Sequence, residues 1–117
     1  MAFEYTKQPW EEEIIGVDFS RRVPAGITVN APSAPYTSGT YVNIEETISP
    51  TGLIAGNFGG HLTLGTPIMT GVTNKEKILT TMVSGGVSGF KYRVSFKVAL
   101  SDTQKKEDDV WVIVTET

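Results

Sequence analysis

Residues 83–100 read VSGGVSGFKYRVSFKVAL, and the second half of this stretch decides the fold. From Phe90 to Leu100 apolar and polar residues alternate, so that all the bulky apolar side chains share one parity. The other parity carries Lys91, Arg93 and Lys97. Strict alternation is typical of a β-strand with one face in a core and the other towards solvent. The stretch therefore predicts a half-exposed strand with basic residues on its outer face.

A second strand is predicted over Asp109–Glu116, joined to the first by the polar segment Thr103–Asp108 as a hairpin. Three valines of this strand share one face, while Trp111 and Ile113 share the other. Because apolar residues occupy both parities, we expect this strand to be covered on both sides.

The rest of the chain repeats the same kind of pattern. Glycine, proline and serine recur about every ten residues, and the residues between them are mostly β-branched or aromatic. Amphipathic helical spacing is absent, so we expect an all-β antiparallel fold with little or no helix. The further strands predicted are Glu12–Phe19, Gly26–Asn30, Tyr41–Ile48, a short one around His61–Leu64, and Lys77–Val83.

Length and composition fit one domain over residues 1–117, with residues 1–10 as an extended N-terminal arm. A net charge of -3 argues against a broad phosphate-binding surface, so nucleic acid is not an expected partner. The chain has no cysteine, which excludes disulfides, thiolate catalysis and cysteine-bound metals. No signal peptide and no membrane-spanning segment are expected.

The residues that could do chemistry are few. His61 is the single histidine, and it has no cysteine or second histidine beside it for a metal site. The acidic runs Glu11–Glu13 and Asp108–Asp109 consist of adjacent residues, which point to opposite faces of a strand rather than across a cleft. We therefore predict no catalytic, metal-binding or cofactor-binding residues, and a protein that is not an enzyme.

Two groups of residues are candidates for contact with a partner. The basic parity of the 83–100 stretch is either a solvated sheet face or a docking surface for an acidic neighbouring subunit. Aromatic residues outside the best core positions either pack within the fold or stack on a ligand or partner. The candidate contact residues are Trp10, Tyr36, Tyr41, Lys91, Arg93 and Lys97.

Several short motifs follow one another in an order that resembles a known family. They are K-x-P at Lys7 and Pro9, Val17–Ser20 at a strand end, Gly26–Thr28, SGG-x-x-G at Ser84–Gly89, Ser101–Asp102, and a last strand Val110–Glu116. This order resembles the small Ig-like virion proteins of tailed bacteriophages, the fiber–tail adaptor or head–tail region proteins. The chain departs from that family in its glycine-rich segment Gly52–Thr73, and in Thr81–Val83, where the family often has a tryptophan–leucine pair.

The resemblance implies an immunoglobulin-like antiparallel β-sandwich of about seven strands. It also implies a minor structural protein of the phage particle, made in the bacterial host cytoplasm and located in the virion. Its partners would be portal or connector, tail or capsid subunits, and further copies of itself in a symmetric or homo-oligomeric arrangement, with no membrane involved. Two alternatives stay open: a capsid decoration (cement) protein, and a glycan- or receptor-binding module that uses Trp10, Tyr36 or Tyr41.

Overall fold

The computed structural model describes residues 3–51, 62–70 and 77–116. Over these ranges the chain forms strands without any helix, and so has no helix that could cross a membrane. The eight strands are β1 (Phe3–Lys7), β2 (Glu13–Asp18), β3 (Tyr41–Ile48), β4 (Leu62–Leu64), β5 (Ile68–Thr70), β6 (Ile78–Gly85), β7 (Lys91–Ala99) and β8 (Lys105–Val114).

The strands form two sheets that pack as a sandwich. The first sheet has the order β1-β8-β7-β3, and the second has the order β2-β6-β4 with β5 also paired to β6. Every pair is antiparallel except β1 with β8. In an immunoglobulin domain strands C, F and G share one sheet and B, E and D the other, and β3, β7, β8 and β2, β6, β4 divide in the same way. The predicted all-β, immunoglobulin-like sandwich is therefore confirmed.

The core lies between the two inner faces, as the alternation of β7 predicts. Tyr92, Val94 and Phe96 are fully buried and face the second sheet, whereas Lys91 and Arg93 point outward. From the second sheet Ile15, Val17 and Leu79 complete the contact. The core side chains are Ile15, Val17, Phe19, Val23, Val42, Ile44, Leu62, Leu79, Val83, Tyr92, Val94, Phe96, Val98, Leu100, Val110, Val112 and Val114.

The glycine-rich half of the 83–100 stretch forms the corner between β6 and β7. The hydroxyl of buried Tyr92 accepts a hydrogen bond from the Val87 amide at 2.9 Å, which is the geometry of a tyrosine corner. Gly86 has φ +95°, and a Cβ there would lie 2.6 Å from a methyl of Val114, so only glycine fits. In immunoglobulin domains a disulfide cysteine stands two residues after this tyrosine, and here Val94 occupies that position.

The N-terminal residues join the first sheet at its edge. Phe3–Lys7, within the segment predicted to be an arm, forms β1 and pairs in parallel with the last strand, Phe3 with Val110 through Lys7 with Val114. This pairing makes β8 an inner strand of the sheet, between β1 and β7, while Trp111 and Ile113 on its outward face are half-buried rather than fully covered.

One predicted strand is not formed, and the predicted start of another is wrong. Gly26–Asn30 is not a strand, because it makes only an isolated bridge between Val29 and Leu100, and Gly26 at φ +82° interrupts an extended backbone. The strand β8 begins at Lys105 rather than Asp109, because backbone pairing with β7 continues through the charged residues to Ala99. The short strand predicted around His61–Leu64 is present as β4, while His61 itself lies outside the described residues.

Candidate functional site

The basic residues of β7 lie on the outward side of the first sheet, which we call the first-sheet face. The register aligns Glu46 of β3, Arg93 of β7 and Trp111 of β8 in one row across this face. The next row holds Asn43, Ser95 and Asp109. The sheet therefore places acidic side chains from β3 and β8 on both sides of the basic strand.

Arg93 is held by two carboxylates. Its Nη1 lies 3.1 Å from Asp109 Oδ2, and its Nε lies 3.8 Å from Glu46 Oε1. The second oxygen of Asp109 accepts a hydrogen bond from the buried Ser95 hydroxyl at 2.7 Å. Because each member is partly buried and shares a partner, this group forms a network rather than a single exposed ion pair.

Lys97 forms a second paired group at one end of the same face. Its ammonium forms an ion pair with Glu45 and lies 5.3 Å from the centre of the Tyr41 ring. Partial burial is the largest single influence on the pKa of Lys97 and lowers it, but the hydrogen bonds and charge interactions with Glu45 and Tyr41 together outweigh burial, so the pKa is raised above its usual value. The same hydrogen bond, with one from Asn43, lowers the pKa of Glu45.

Of the three predicted basic contact residues, two are thus engaged within the fold. Within the described part of the chain Lys91 is the one that forms no ion pair, and it is exposed at the opposite end of β7 from Lys97. The acidic partners come from β3, including the bulge between Ile44 and Glu46, and from β8. The basic parity of β7 is therefore largely neutralised by its neighbours.

Trp10 stands apart from these groups and is 92% exposed. It lies in a turn between β1 and β2 that is closed by the Glu11 amide donating to the Gln8 carbonyl at 3.1 Å. The Glu11 carboxylate also accepts a hydrogen bond from the Gln8 amide at 2.6 Å. Pro9 precedes Trp10, and proline fixes the backbone of a turn at this position. The indole is therefore displayed on a rigid turn.

The buried side chain of Lys7 supports this turn through hydrogen bonds. Its side chain is 1% exposed, and Nζ donates to the carbonyls of Gln8 at 2.7 Å, of Pro9 at 3.5 Å and of Gly85 at 2.5 Å. Burial lowers the pKa of Lys7, while the nearby charges of Glu11 and Glu13 oppose this shift. One ammonium thus ties the Trp10 turn to the glycine corner that follows β6.

The aromatic candidates do not share one site. Trp10 follows the end of β1 at Lys7, which pairs with Val114, whereas Tyr41 lies in the row of Lys97 and Glu107. Seven positions along β8 separate the two rows, a distance of about 23 Å. Tyr36 is half-buried in the loop that leads into β3, with φ +62°.

Beside Tyr41 the surface forms an open groove of about 470 Å³. The loop 37–39 forms one wall, and the paired ends of β7 and β8 form the other. Lys105 and Lys106, which sequence reasoning assigned to a hairpin loop, line this groove together with Lys97 and Glu107. The groove is polar and contains no pair of carboxylates arranged for acid–base catalysis.

Three of the five carboxylates considered as acid–base candidates have structural partners. Asp109 accepts from Ser95 and Arg93, Asp108 lies 3.8 Å from Arg22, and Glu11 closes the Trp10 turn. No cluster of three potential metal ligands occurs in residues 3–51, 62–70 and 77–116.

The sequence reasoning missed an exposed apolar surface on the second sheet. We call it the second-sheet face, formed by the outward side chains of β2, β4, β5 and β6. Ile14 is 67% exposed, Ile68 is 56% exposed and Met82 is 39% exposed, and Ile14 pairs directly with Met82. The available signal was that β2 and β6, like β8, have apolar residues on both parities.

Comparison with models of known protein families, with curated protein sequences and with solved structures gives no significant match.

Proposed function

We propose that this protein is a non-enzymatic structural protein of a tailed-phage particle, a head–tail or tail-fiber adaptor that works by contact with other virion proteins. The proposal starts from the motif order described above and adds the surfaces that this fold displays. Its partners are portal or connector, tail or capsid subunits, and its location is the virion after synthesis in the bacterial host cytoplasm.

The observation that carries the proposal is the exposed Trp10 on its braced turn. Tryptophan is the residue most enriched among those that dominate binding energy at protein interfaces. Leaving it 92% exposed is unfavourable for an isolated protein, and a rigid turn reduces the entropy lost when the side chain is buried by a partner. A contact protein gains from both features.

Two of the motifs behind the family resemblance also meet in space. Lys7 of the K-x-P motif donates to the Pro9 carbonyl of the same motif and to the carbonyl of Gly85 in the SGG-x-x-G motif. The hydroxyl of Tyr92, three residues after the SGG-x-x-G motif, accepts a hydrogen bond from the Val87 amide in the same corner. This contact gives the two motifs a shared physical purpose, the support of the Trp10 turn, and it favours the adaptor proposal over a chance similarity of short motifs.

Particle composition tests the proposal. Phage particles produced with the wild-type chain or with Trp10→Ala should be purified and quantified by mass spectrometry and cryo-electron microscopy. Wild-type protein is expected in stoichiometric, symmetric copies, and loss of an interface hot spot of about 2 kcal/mol should reduce incorporation by roughly 30-fold. Lys91→Ala is the control, since it also removes an exposed side chain but leaves the turn intact.

Melting curves must first show that both variants fold like the wild type, as expected for exposed residues. Recovery of the protein only in the free cytosolic fraction of the host would overturn the proposal. The number of copies per particle separates an adaptor, present at a ring, from a capsid decoration protein, present over the whole shell.

A second candidate function, glycan or receptor binding, is favoured by one observation, the open groove beside Tyr41. The row of Lys7, after which the Trp10 turn begins, lies about 23 Å along the sheet from the row of Tyr41, so a small glycan would contact only one of the two aromatic residues. Glycan binding would therefore depend on the groove beside Tyr41 alone. A saturable titration that Tyr41→Ala abolishes and Trp10→Ala leaves unchanged would support it, and no binding in either chain would remove it.

A further inference from the structure

The second-sheet face lies between two charged ends and carries one charge of its own, Asp18, which pairs with Ile78 at the edge of the face. Its other outward residues from the middle of β2 to the end of β5 are aliphatic, hydroxyl-bearing or glycine: Ile14, Gly16, Thr63, Ile68, Thr70, Ile78, Thr80 and Met82. Gly16 lies in the central row with Thr80 and Ile68. A sheet face with so many apolar and so few charged side chains resembles the inner face of a sandwich more than a solvated one.

The two ends of the face have opposite charge. The acidic run Glu11–Glu13 lies where β2 begins. Beyond the end of β2 lie Arg21 and Lys77, next to the row that Asp18 shares with Ile78. Asp18 is occupied by a hydrogen bond from the Ser20 amide at 2.8 Å, and it offsets only part of the positive charge.

We propose that this face binds a second copy of the chain, face to face, about a two-fold axis that runs across the strands between the two sheets. The inference deepens the proposed function and rests on it for the setting in which many copies are held close together. A two-fold interface must be complementary to itself. Two orientations of the axis, parallel to the strands or across them, would each bring the two faces together.

The charges choose between the two axes. An axis parallel to the strands would place the row of Ile14 over its own copy and bring the two acidic runs to the same end of the interface. An axis across the strands, through the row of Gly16, reverses the strand direction and brings the run Glu11–Glu13 of each copy over residues 19–21 of the other, which include Arg21. Opposite charges then meet at both ends, Met82 packs on Ile78, and Ile14 lies opposite Asp18 at the edge strand β2.

The size of the face predicts a weak dimer. Three strands across and eight residues along β6 give a face of about 14 by 26 Å, which is roughly 380 Å² per copy. Stable interfaces bury about 800 Å² per partner. Contact of this size is effective where symmetry holds copies close together, because weak contacts then act jointly.

Sedimentation of the purified full chain tests the pairing directly. Between about 10 µM and 1 mM the wild type is expected to pass from monomer to dimer, with a dissociation constant on the order of 100 µM. Ile68→Lys should weaken the dimer at least tenfold, because Ile68 lies in the row on the axis, where the two introduced charges would meet each other. Lys91→Glu, on the other sheet, is the control and should leave dimerisation unchanged.

A charge exchange tests the orientation of the two copies. Glu12→Lys alone and Arg21→Glu alone should each weaken the dimer severalfold, since each places like charges together. The double variant carries the same pair with exchanged signs and should regain most of the wild-type affinity. Absence of this rescue would overturn the proposed axis.

A chain that stays monomeric at every concentration, or a dimer that Ile68→Lys leaves intact, would overturn the pairing. These outcomes are independent of particle incorporation: a chain that dimerises but never enters particles contradicts only the adaptor proposal. A monomeric chain that enters particles, and that Ile68→Lys excludes from them, would assign the face to a different virion protein and contradict self-pairing.

Discussion

The two outward faces of the sandwich have the same architecture and opposite chemistry. The first-sheet face is crossed by carboxylates that bond to Arg93 and Lys97, so its charges stabilise one another within the chain. The second-sheet face exposes Ile14, Ile68 and Met82 without a charge among them. The sequence suggests a charged docking surface on the first-sheet face, but the charges there are mostly paired within the chain. The second-sheet face has no such signal in the sequence, yet it exposes apolar side chains to solvent.

The difference teaches where to look for function in a sheet of this kind. Charges that already have partners add little to binding, because contact with another protein must first remove water from them without adding an ion pair. Exposed isoleucines add binding free energy in proportion to the area that a partner covers. Stability should therefore depend on the first-sheet face, and association on the second.

The largest effect is expected when a core residue of β7 is compared with its outward-facing neighbour. Phe96→Ala removes a fully buried ring and should lower the free energy of unfolding by about 3–5 kcal/mol. Lys97→Ala, one residue further along, should cost no more than about 1 kcal/mol, because only a partly exposed ion pair is lost. Urea unfolding monitored by fluorescence measures both, and equal losses would contradict the assignment of the two parities.

The tyrosine corner should contribute the next largest amount. Tyr92→Phe removes the hydroxyl that accepts from the Val87 amide and leaves this amide without its partner, at a cost of about 1–3 kcal/mol. Tyr36→Phe removes the same hydroxyl from a half-buried tyrosine in the loop before β3 and is a matched control, which should change stability by less than about 0.5 kcal/mol. A Tyr92→Phe chain as stable as the wild type would show that the corner is not needed.

The two faces should differ in what their own residues contribute to stability. Asp109→Ala deprives Arg93 and the buried Ser95 of their acceptor and should cost about 1–3 kcal/mol. Ile14→Thr, on the other face, should change the stability of the monomer by about 0.5 kcal/mol or less. Both variants should be measured by thermal unfolding at low protein concentration, so that dimerisation does not contribute to the stability. Similar losses at both positions would remove the distinction between the faces.

The smallest effect expected is a pH dependence that belongs to the first-sheet face alone. The hydrogen bond from Lys97 lowers the pKa of Glu45 in the folded state, so the stabilisation is present above the unfolded pKa of about 4.3. It is lost as the pH falls through the lower folded value. Glu45→Gln should therefore flatten the acid side of the stability profile, while Ile14→Thr leaves that slope unchanged. An unaltered slope in Glu45→Gln would contradict the role given to this pair.

The sequence predicted those features that depend on local periodicity. The parity of Tyr92, Val94 and Phe96 against Lys91 and Arg93 follows from the two-residue repeat of a strand, and the structure has it. The same is true of the valines in β8. The predicted strand at Gly26–Asn30 failed because its composition suits a strand while Gly26 adopts a positive φ.

The chemistry of the two faces depended on strand order, which local patterns do not give. Glu45 and Glu46 are near the basic residues only because β3 pairs with β7 across a bulge. Ile14 and Met82 form one exposed patch only because β2 pairs with β6 and nothing covers them in the described chain. Lys7 meets Gly85 across 78 positions of sequence, and no short pattern could have indicated that contact.

The central claim is that Trp10 and the second-sheet face make the contacts of this protein, and that the basic parity of β7 does not. Oxidative footprinting read by mass spectrometry, on the free chain and on the chain in assembled particles, tests it most directly. The account predicts that labelling of Trp10 and Met82 falls severalfold on assembly while labelling of Tyr41, on the first-sheet face, stays the same. Protection of Tyr41 with Trp10 and Met82 still fully reactive would contradict it.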